Sequence, residues 1–295
     1  MNPDCERHQS IAERETFWRM VLMNTGLKDK VVLITGANHG IGAATAYALA
    51  TEGCAIFITY LRLASGYGQQ AKSADDVVAA IRQQGGRAEA WEADLADPTV
   101  NPTLFDQAES ELGPVNILIN NAAYCVPDTF IPASQLHAES RAVDGFPMFT
   151  LTAERHDYHF AVNSRASALL LAEYARRHVA RNAQWGRIIN VSTDGASGFS
   201  SEISYGASKH AMESYSRAAA SELGRYGITV NVVALAAVQT GWITPNLEQA
   251  ASANPLQRFG EPEDVADVIV FFASEQSRWV TGQLLYVGGG HVMPL

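Results

Sequence analysis

Val31-Val32-Leu33-Ile34 runs straight into Thr35-Gly36-Ala37-Asn38-His39-Gly40-Ile41-Gly42. Four consecutive apolar residues closed by Thr-Gly read as a strand buried on both faces, because a half-exposed strand would alternate apolar with polar. The alanine-rich stretch from Ile41 to Glu52 reads as the helix that follows. The glycines between them let the chain turn tightly and approach a ligand closely. A helix that starts there points unpaired N–H groups and a partial positive charge at whatever occupies the turn, which suits a phosphate.

Working outward, the same alternation recurs. Strands are expected at Cys54–Tyr60, Ala88–Ala93, Val115–Ile119, Arg187–Val191, Thr229–Leu235 and Gln283–Val287. Helices are expected at Ser73–Gln84, Thr103–Leu112, through Val162 to His178, from Tyr205 to Arg225, and after Glu263. On the Tyr205 helix, Met212, Tyr215, Ala219 and Leu223 repeat at the spacing of one helix face. Strand–helix alternation predicts an α/β protein with a three-layer, doubly wound parallel sheet, a Rossmann fold, in one domain over residues 28–295. Residues 1–27 read as an N-terminal extension, with Ile11, Phe17, Trp18, Val21 and Leu22 forming a packing or oligomer-contact stripe. The beat breaks between Tyr124 and Thr150, a stretch long enough to be functional.

Composition narrows the function. The chain of 295 residues carries a net charge of −10 and has 47% hydrophobic residues, enough for a real core. No basic stripe is present, which argues against a nucleic-acid partner. No apolar run reaches the ~18 residues of a membrane span. The three cysteines, Cys5, Cys54 and Cys125, are widely spaced and make neither a metal-ligand cluster nor a disulfide framework, so no metal is expected and a reducing, cytoplasmic setting is.

The chemistry is concentrated further along. Tyr205 and Lys209 stand four apart at the start of a helix, on one face. An ammonium beside a phenol favours phenolate, so the pair can exchange a proton with a carbonyl or alcohol. The preceding strand ends in Ser192-Thr193, and either hydroxyl can polarise a carbonyl.

Thr35-Gly36-x-x-x-Gly40-x-Gly42, Asn120-Asn121-Ala122-Ala123 and Tyr205-Gly206-Ala207-Ser208-Lys209 together resemble the short-chain dehydrogenase/reductase family, over about Lys30 to Val287. The resemblance implies a nicotinamide cofactor held at Gly36, Asn38, His39, Gly40, Ile41 and Gly42, at Asp94 and Leu95 around the adenine, and at Asn121, Ala122 and Ala123. It also implies cofactor contacts at Lys209, Tyr205, Val238 and Thr240, and a proton-relay water at Asn163. The family's serine position falls on Thr193 counted from Gly186, and on Ser192 counted back from Tyr205. Leu235-Ala236 stand where the family has Pro-Gly. No acid lies between Ala55 and Lys72 to bind a ribose 2′-hydroxyl, whereas Tyr60 is followed by Arg62, and His39 lies in the glycine turn. A 2′-phosphate on Arg62 and His39, hence NADP rather than NAD, is the expectation.

These features imply an oxidoreductase that moves hydride between NADP(H) and a small carbonyl or alcohol, similar to a 3-oxoacyl reductase or general ketoreductase. Two alternatives are a reductase of a C=N or pterin-type ring and a non-catalytic NADP(H)-sensing protein. The resemblance also implies a homodimer or homotetramer paired through the helices after Thr152 and after Ser204. Tyr124–Thr150 is expected to be a substrate lid rather than a folding element, with Phe130, Ile131, Phe146, Met148 and Phe149 facing substrate and Gly145 as hinge.

Overall fold

In the first strand, β1 (Val31–Thr35), Val32 and Ile34 pack on one side of the sheet and Val31 and Leu33 on the other. That two-sided burial is the physical reason for the unbroken apolar run. The structure, a computed structural model, describes residues 24–62, 73–142, 145–241, 243 and 254–293. The stripe proposed for residues 11–22 lies outside the described residues. Leu27 is already a fully buried core residue, so the domain begins before Lys28.

After β1 come α1 (Gly40–Thr51), β2 (Ala55–Tyr60), α2 (Asp75–Gln83), β3 (Arg87–Glu92), α3 (Val100–Leu112) and β4 (Val115–Asn120). The second half holds β5 (Asp128–Thr129), β6 (Phe149–Thr150), α4 (Ala153–Phe160), α5 (Ala166–Ala180) and β7 (Gly186–Thr193). It closes with α6 (Ile203–Leu223), β8 (Ile228–Leu235), α7 (Pro262–Ala273) and β9 (Leu284–Val287). Seven strands form one parallel sheet in the order β3-β2-β1-β4-β7-β8-β9. Helices α1, α2 and α7 pack on one face through residues such as Leu49, Ile81 and Ile269. Helices α3, α5 and α6 cover the other through Phe105, Tyr174 and Ala220. The strand order reverses between β1 and β4, and a crevice opens there at the carboxyl ends of the strands, the usual ligand position in open α/β sheets.

Two local departures from the expected elements shape this crevice. The helix read as continuous through Val162 begins instead as α4, passes through a π turn at Ala161–Arg165, and resumes as α5. The wide turn carries Asn163, which is completely buried. Its side chain accepts from the Tyr124 N–H at 2.8 Å and donates to the Tyr124 carbonyl at 2.8 Å and to Ser208 Oγ at 3.0 Å. These bonds tie the first residue of the inserted segment to the helix that carries Tyr205.

The second departure is within that segment. β5 and β6 pair in parallel, Asp128 opposite Phe149 and Thr129 opposite Thr150. Asp128 is fully buried, and its Oδ1 accepts from the N–H of Ser204 at 2.9 Å in the first turn of α6. Val126 donates its N–H to His159 Nε2 at 3.2 Å, while His159 Nδ1 meets the Arg155 carbonyl at 2.7 Å. A carbonyl only accepts, so the proton sits on Nδ1. Burial pushes the imidazole's pKa down, which keeps it neutral. The segment is therefore part of the folded framework at its base, which corrects the expectation that it is no folding element. Only its outer part projects: Phe130 is 78% exposed and Ile131 is exposed as well.

Asp128→Ala is expected to cost about 1–2 kcal/mol, the usual worth of a helix cap. Urea unfolding checks it, with Asp128→Asn retaining most of the lost stability because an amide oxygen still accepts from Ser204.

Candidate active site

The glycine turn is built by β1 and its neighbours. Gly36 and Ala37 both donate their N–H groups to the Thr59 carbonyl, at 2.7 and 3.3 Å, which bends the chain over the end of β2. Gly36 has φ +66°, and a Cβ there would lie 2.8 Å from the Ala122 Cα. At Gly42 a Cβ would lie 2.5 Å from the Gly36 carbonyl oxygen. Both positions therefore require glycine, one for its dihedral and both for close approach. The N-cap of α1, His39, makes no side-chain capping bond, and the first turn holds no acidic residue. By contrast α7 begins with a reciprocal capping box between Glu261 and Asp264. The α1 terminus thus presents its N–H groups and positive dipole end to the crevice.

One cavity of about 420 Å³ occupies that crevice, in the range of small-molecule sites. Its floor is the glycine turn, with Gly36, Asn38, His39, Gly40, Ile41 and Gly42 all on the wall. One flank is formed by Tyr60, Asp94 and Leu95 at the ends of β2 and β3, where Asp94 Oδ1 accepts from the Ala96 N–H at 2.8 Å. Asn121, Ala122 and Ala123 follow β4, and Val238 and Thr240 lie on the loop after β8. Ser192, Thr193, Tyr205 and Lys209 line the far wall. Of the catalytic and cofactor-binding residues expected from the sequence, Arg62 and Asn163 are absent from the wall.

Arg62 is turned outward. Its Nε donates to Glu92 Oε2 at 2.9 Å, its backbone N–H donates to Glu92 Oε1 at 2.9 Å, and the pair is largely exposed. Tyr60 and Glu92 are register partners on β2 and β3, which is what brings the acid within reach. Asn163 spends its side-chain amide on Tyr124 and Ser208, and its carbonyl accepts from Ser167 Oγ at 3.3 Å. Its side chain is a clamp, so any relay through this residue is left to the carbonyl. None of the described residues from Val126 to Thr150 lines the cavity; Tyr124 and Cys125, before them, do.

The two hydroxyls at the end of β7 differ in what they can still give. Ser192 Oγ donates to Glu213 Oε1 at 2.6 Å, so its proton is committed. Thr193 Oγ1 accepts from the Gly195 N–H at 3.3 Å, which leaves its own proton for another acceptor. Lys209, almost completely buried, donates from Nζ to the Val191 carbonyl at 2.8 Å and sits 5.9 Å from the centre of the Tyr205 ring. Burial lowers its pKa to about 8, opposed by the thiol of Cys125 and the carboxylate of Glu213. Tyr205 keeps some accessible surface, which it presents to the cavity, but the surrounding protein strips most of its hydration. That burial, with Cys125, Glu202 and Asp194 nearby, pushes the phenol well above its usual value. The expectation that Lys209 pulls this pKa down is corrected: in these surroundings, burial and acidic neighbours outweigh the ammonium.

The described start of the loop after β8 is held by backbone bonds where Pro-Gly is missing. Gln239 donates its N–H to the Gly260 carbonyl at 2.8 Å, and Gly260 donates to the Ala237 carbonyl at 3.1 Å. Backbone pairing supplies the rigidity that a fixed proline φ would have supplied. Sequence reading missed Tyr124, Cys125, Tyr158, Glu202 and Glu213. None sits in a motif, and Glu202 looks like an ordinary surface acid in Ser200-Ser201-Glu202 until the fold buries it. Among the described residues no group of three or more His, Cys, Asp or Glu is placed to hold a metal ion. No helix among them is long and apolar enough to cross a membrane.

The family described as enoyl-(acyl carrier protein) reductase matches residues 36–291. The chain belongs to the short-chain dehydrogenase/reductase family. It is 33% identical over 269 residues to an uncharacterized oxidoreductase, YjdA, of Bacillus subtilis, across 90% of this chain and 98% of that protein. It is 33% identical over 273 residues to a 3-oxoacyl-[acyl-carrier-protein] reductase of Synechocystis sp., across 91% of this chain and 99% of that one. Among solved structures it is similar to a blue fluorescent protein from a metagenomic library in complex with NADPH. That match has a TM-score of 0.75 and 30% identity, over 90% of this chain and 99% of the other. The protein is thus an oxidoreductase of this family.

The catalytic rate constant over KM for reduction is expected to fall as pH rises through about 8. Below that value Lys209 carries its proton; above it the buried positive charge beside Tyr205 is lost, while Tyr205 stays protonated throughout. A pH–rate profile that is flat from pH 7 to 10 would refute the link.

Proposed function

We propose that this oxidoreductase is an NADP(H)-dependent reductase of small carbonyl compounds, with Tyr205 as proton donor. The observation that carries the reading is the convergence of Thr193, Tyr205 and Lys209 on the wall of a cavity whose floor is the side-chain-uncapped N-terminus of α1. The residues fit a dinucleotide. The glycine turn takes the pyrophosphate, Asp94 and Leu95 the adenine end, and Lys209 and Thr240 the nicotinamide end. When bound, the nicotinamide supplies or accepts the hydride.

The protein's own part is acid–base work and polarisation. Thr193 donates a hydrogen bond to the substrate oxygen and draws charge toward it. Tyr205, held protonated by its surroundings, delivers a proton to that oxygen as it becomes an alcohol. The Lys209 ammonium stabilises the phenolate this leaves behind. A phenol kept protonated favours work in the reducing direction. Asn163 acts through its side chain by fixing Tyr124 and Ser208 rather than by touching the substrate. The backbone bonds between Gln239, Gly260 and Ala237 weigh against a purely sensing role, and the acid beside Thr193, Asp194, is paired with His291 Nδ1 at 2.7 Å instead of standing at the hydroxyl position.

The preference for NADP rests on Arg62 and on the lack of an acid at the end of β2, and is supported by the NADPH held by the metagenomic relative. Glu92 competes for Arg62, so a 2′-phosphate has to displace it. Self-association through α5 and α6 is part of the same reading, and outward-facing Leu169, Val179 and Tyr215 supply apolar surface for it.

Tyr205→Phe is expected to lower turnover by at least about a hundredfold, the usual worth of general acid catalysis, with NADPH affinity within a few-fold of wild type. Steady-state rates and NADPH fluorescence titration check both halves. Arg62→Ala is expected to weaken NADPH about ten- to a hundredfold with little change for NADH. Glu92→Gln is expected to move the NADPH-to-NADH preference the opposite way by freeing Arg62. Equal changes for both cofactors would make the pair structural.

A further inference from the structure

The residues that follow β9 lie outside the chemistry above, yet they reach it. Gly288-Gly289-Gly290-His291 form a tight turn, closed by the His291 N–H on the Gly288 carbonyl at 3.0 Å. Its two central residues have φ +59° and +87°, the values of a type I′ turn, which glycine adopts without strain. The turn is closely seated. A Cβ at Gly288 would lie 2.7 Å from the Ala236 Cβ, and the Gly289 carbonyl accepts from the Leu256 N–H at 3.3 Å. His291 leaves the turn toward the end of β7, where its Nδ1 meets Asp194 Oδ2 at 2.7 Å. A carboxylate only accepts, so Nδ1 carries the proton. The Asp194 side chain is 10% exposed and that of His291 54%, so a nearly buried acid is met by a surface residue 97 positions away.

Asp194 does not line the cavity, but Thr193 does, and the two share a turn. The β7–β8 ladder ends with Thr193 opposite Leu235 and with the Asp194 N–H on the Leu235 carbonyl at 2.9 Å. There the chain bends. Ala196 donates its N–H to the Thr193 carbonyl at 3.2 Å, and Gly195 donates to Thr193 Oγ1 at 3.3 Å. The direction of the Thr193 hydroxyl is therefore set by a turn in which Asp194 is a central residue. Both bonds are longer than the usual ~2.9–3.0 Å, so the turn depends on its central residue being held. A released carboxylate would also stand beside the hydroxyl and compete with substrate for its proton. Resting on the carbonyl-reductase reading, we propose that His291 is a positioning residue: by holding Asp194 it fixes the turn that aims the Thr193 hydroxyl at the substrate oxygen. His291 is absent from the cavity wall and acts through Asp194. The glycine turn supplies the fixed point from which it does so, since β9 itself ends at Val287.

The test measures NADPH-dependent reduction of cyclohexanone and of ethyl 3-oxobutanoate by wild type, His291→Ala and His291→Asn, each also in a Thr193→Val background. Asparagine keeps an N–H donor close to the place of Nδ1. His291→Ala is expected to lower kcat about tenfold, part of the ~10²–10³ that an oxyanion donor is worth, with KM and NADPH affinity within about twofold of wild type. His291→Asn is expected to recover most of that loss. In the Thr193→Val background His291→Ala is expected to add nothing, because the hydroxyl it serves is gone. Hydrogen exchange over Thr193–Ala196, measured on the same proteins, is expected to quicken in His291→Ala and to return in His291→Asn. An unchanged kcat in His291→Ala, a loss that asparagine does not recover, or an equal loss with and without Thr193 overturns the inference. If wild type reduces neither ketone, that counts against the carbonyl-reductase reading and exchange decides the inference. Quickened exchange that asparagine restores then sustains the tie between His291 and the turn, and unchanged exchange overturns it.

Discussion

Thr35 and Asn121 exchange hydrogen bonds between the ends of β1 and β4. Thr35 Oγ1 accepts from the N–H groups of Asn121 and Ala122, each at 3.0 Å, and Asn121 Nδ2 donates back to the carbonyls of Thr35 and Gly36 at 3.0 and 2.8 Å. These two strands are the neighbours between which the chain changes direction across the sheet, and their regular ladder runs only to Ile34 opposite Ile119, leaving the turn beyond it for other bonds to hold. The exchange does so, and it fixes the glycine turn against Ala122 closely enough to exclude any side chain at Gly36. Every other wall of the cavity is placed with respect to that junction. Asn121 stands on the wall but directs its amide to the turn, so its main service is to the shape of the site.

A second set of constraints runs through α6. The helix is capped from outside by Asp128, held at Ser208 by Asn163, and anchored to β7 through Lys209 on Val191 and Ser192 on Glu213. Tyr205 lies among these four attachments. The inserted segment, which interrupts the strand–helix rhythm, is thereby drawn into positioning the phenol at its base, while Phe130 and Ile131 farther along it are exposed. The electrostatics follow from the same packing. Lys209 is desolvated and turned to a carbonyl, and Tyr205 is surrounded by Cys125, Glu202 and Asp194. The balance between a phenol and an ammonium four residues apart is therefore set by burial and not by their spacing.

The fold was legible in residues 31–42 and in the alternation that follows, because a parallel sheet buried on both faces must be written in continuous apolar runs. Helix and strand positions were recoverable to within a few residues. The π turn at Ala161–Arg165 was not, since its cause is a pair of bonds to Tyr124, a residue 39 positions away. The short β5–β6 pair was hidden for the same reason: two residues on each side carry no periodicity.

By itself the sequence determined the layer architecture, the phosphate-type turn, the Tyr205–Lys209 pair and the family, since each depends on residues close together in the chain. Tertiary structure alone decided three other matters. It turned Arg62 onto Glu92, since β2 and β3 set Glu92 opposite Tyr60, two residues before the arginine. It committed Ser192 to Glu213 and left the Thr193 proton available, since adjacent strand residues point to opposite faces of the sheet. And it carried Glu202 into the cavity wall, because whether an acid meets water or a ligand is a property of what packs around it, to which its neighbours in the chain contribute little.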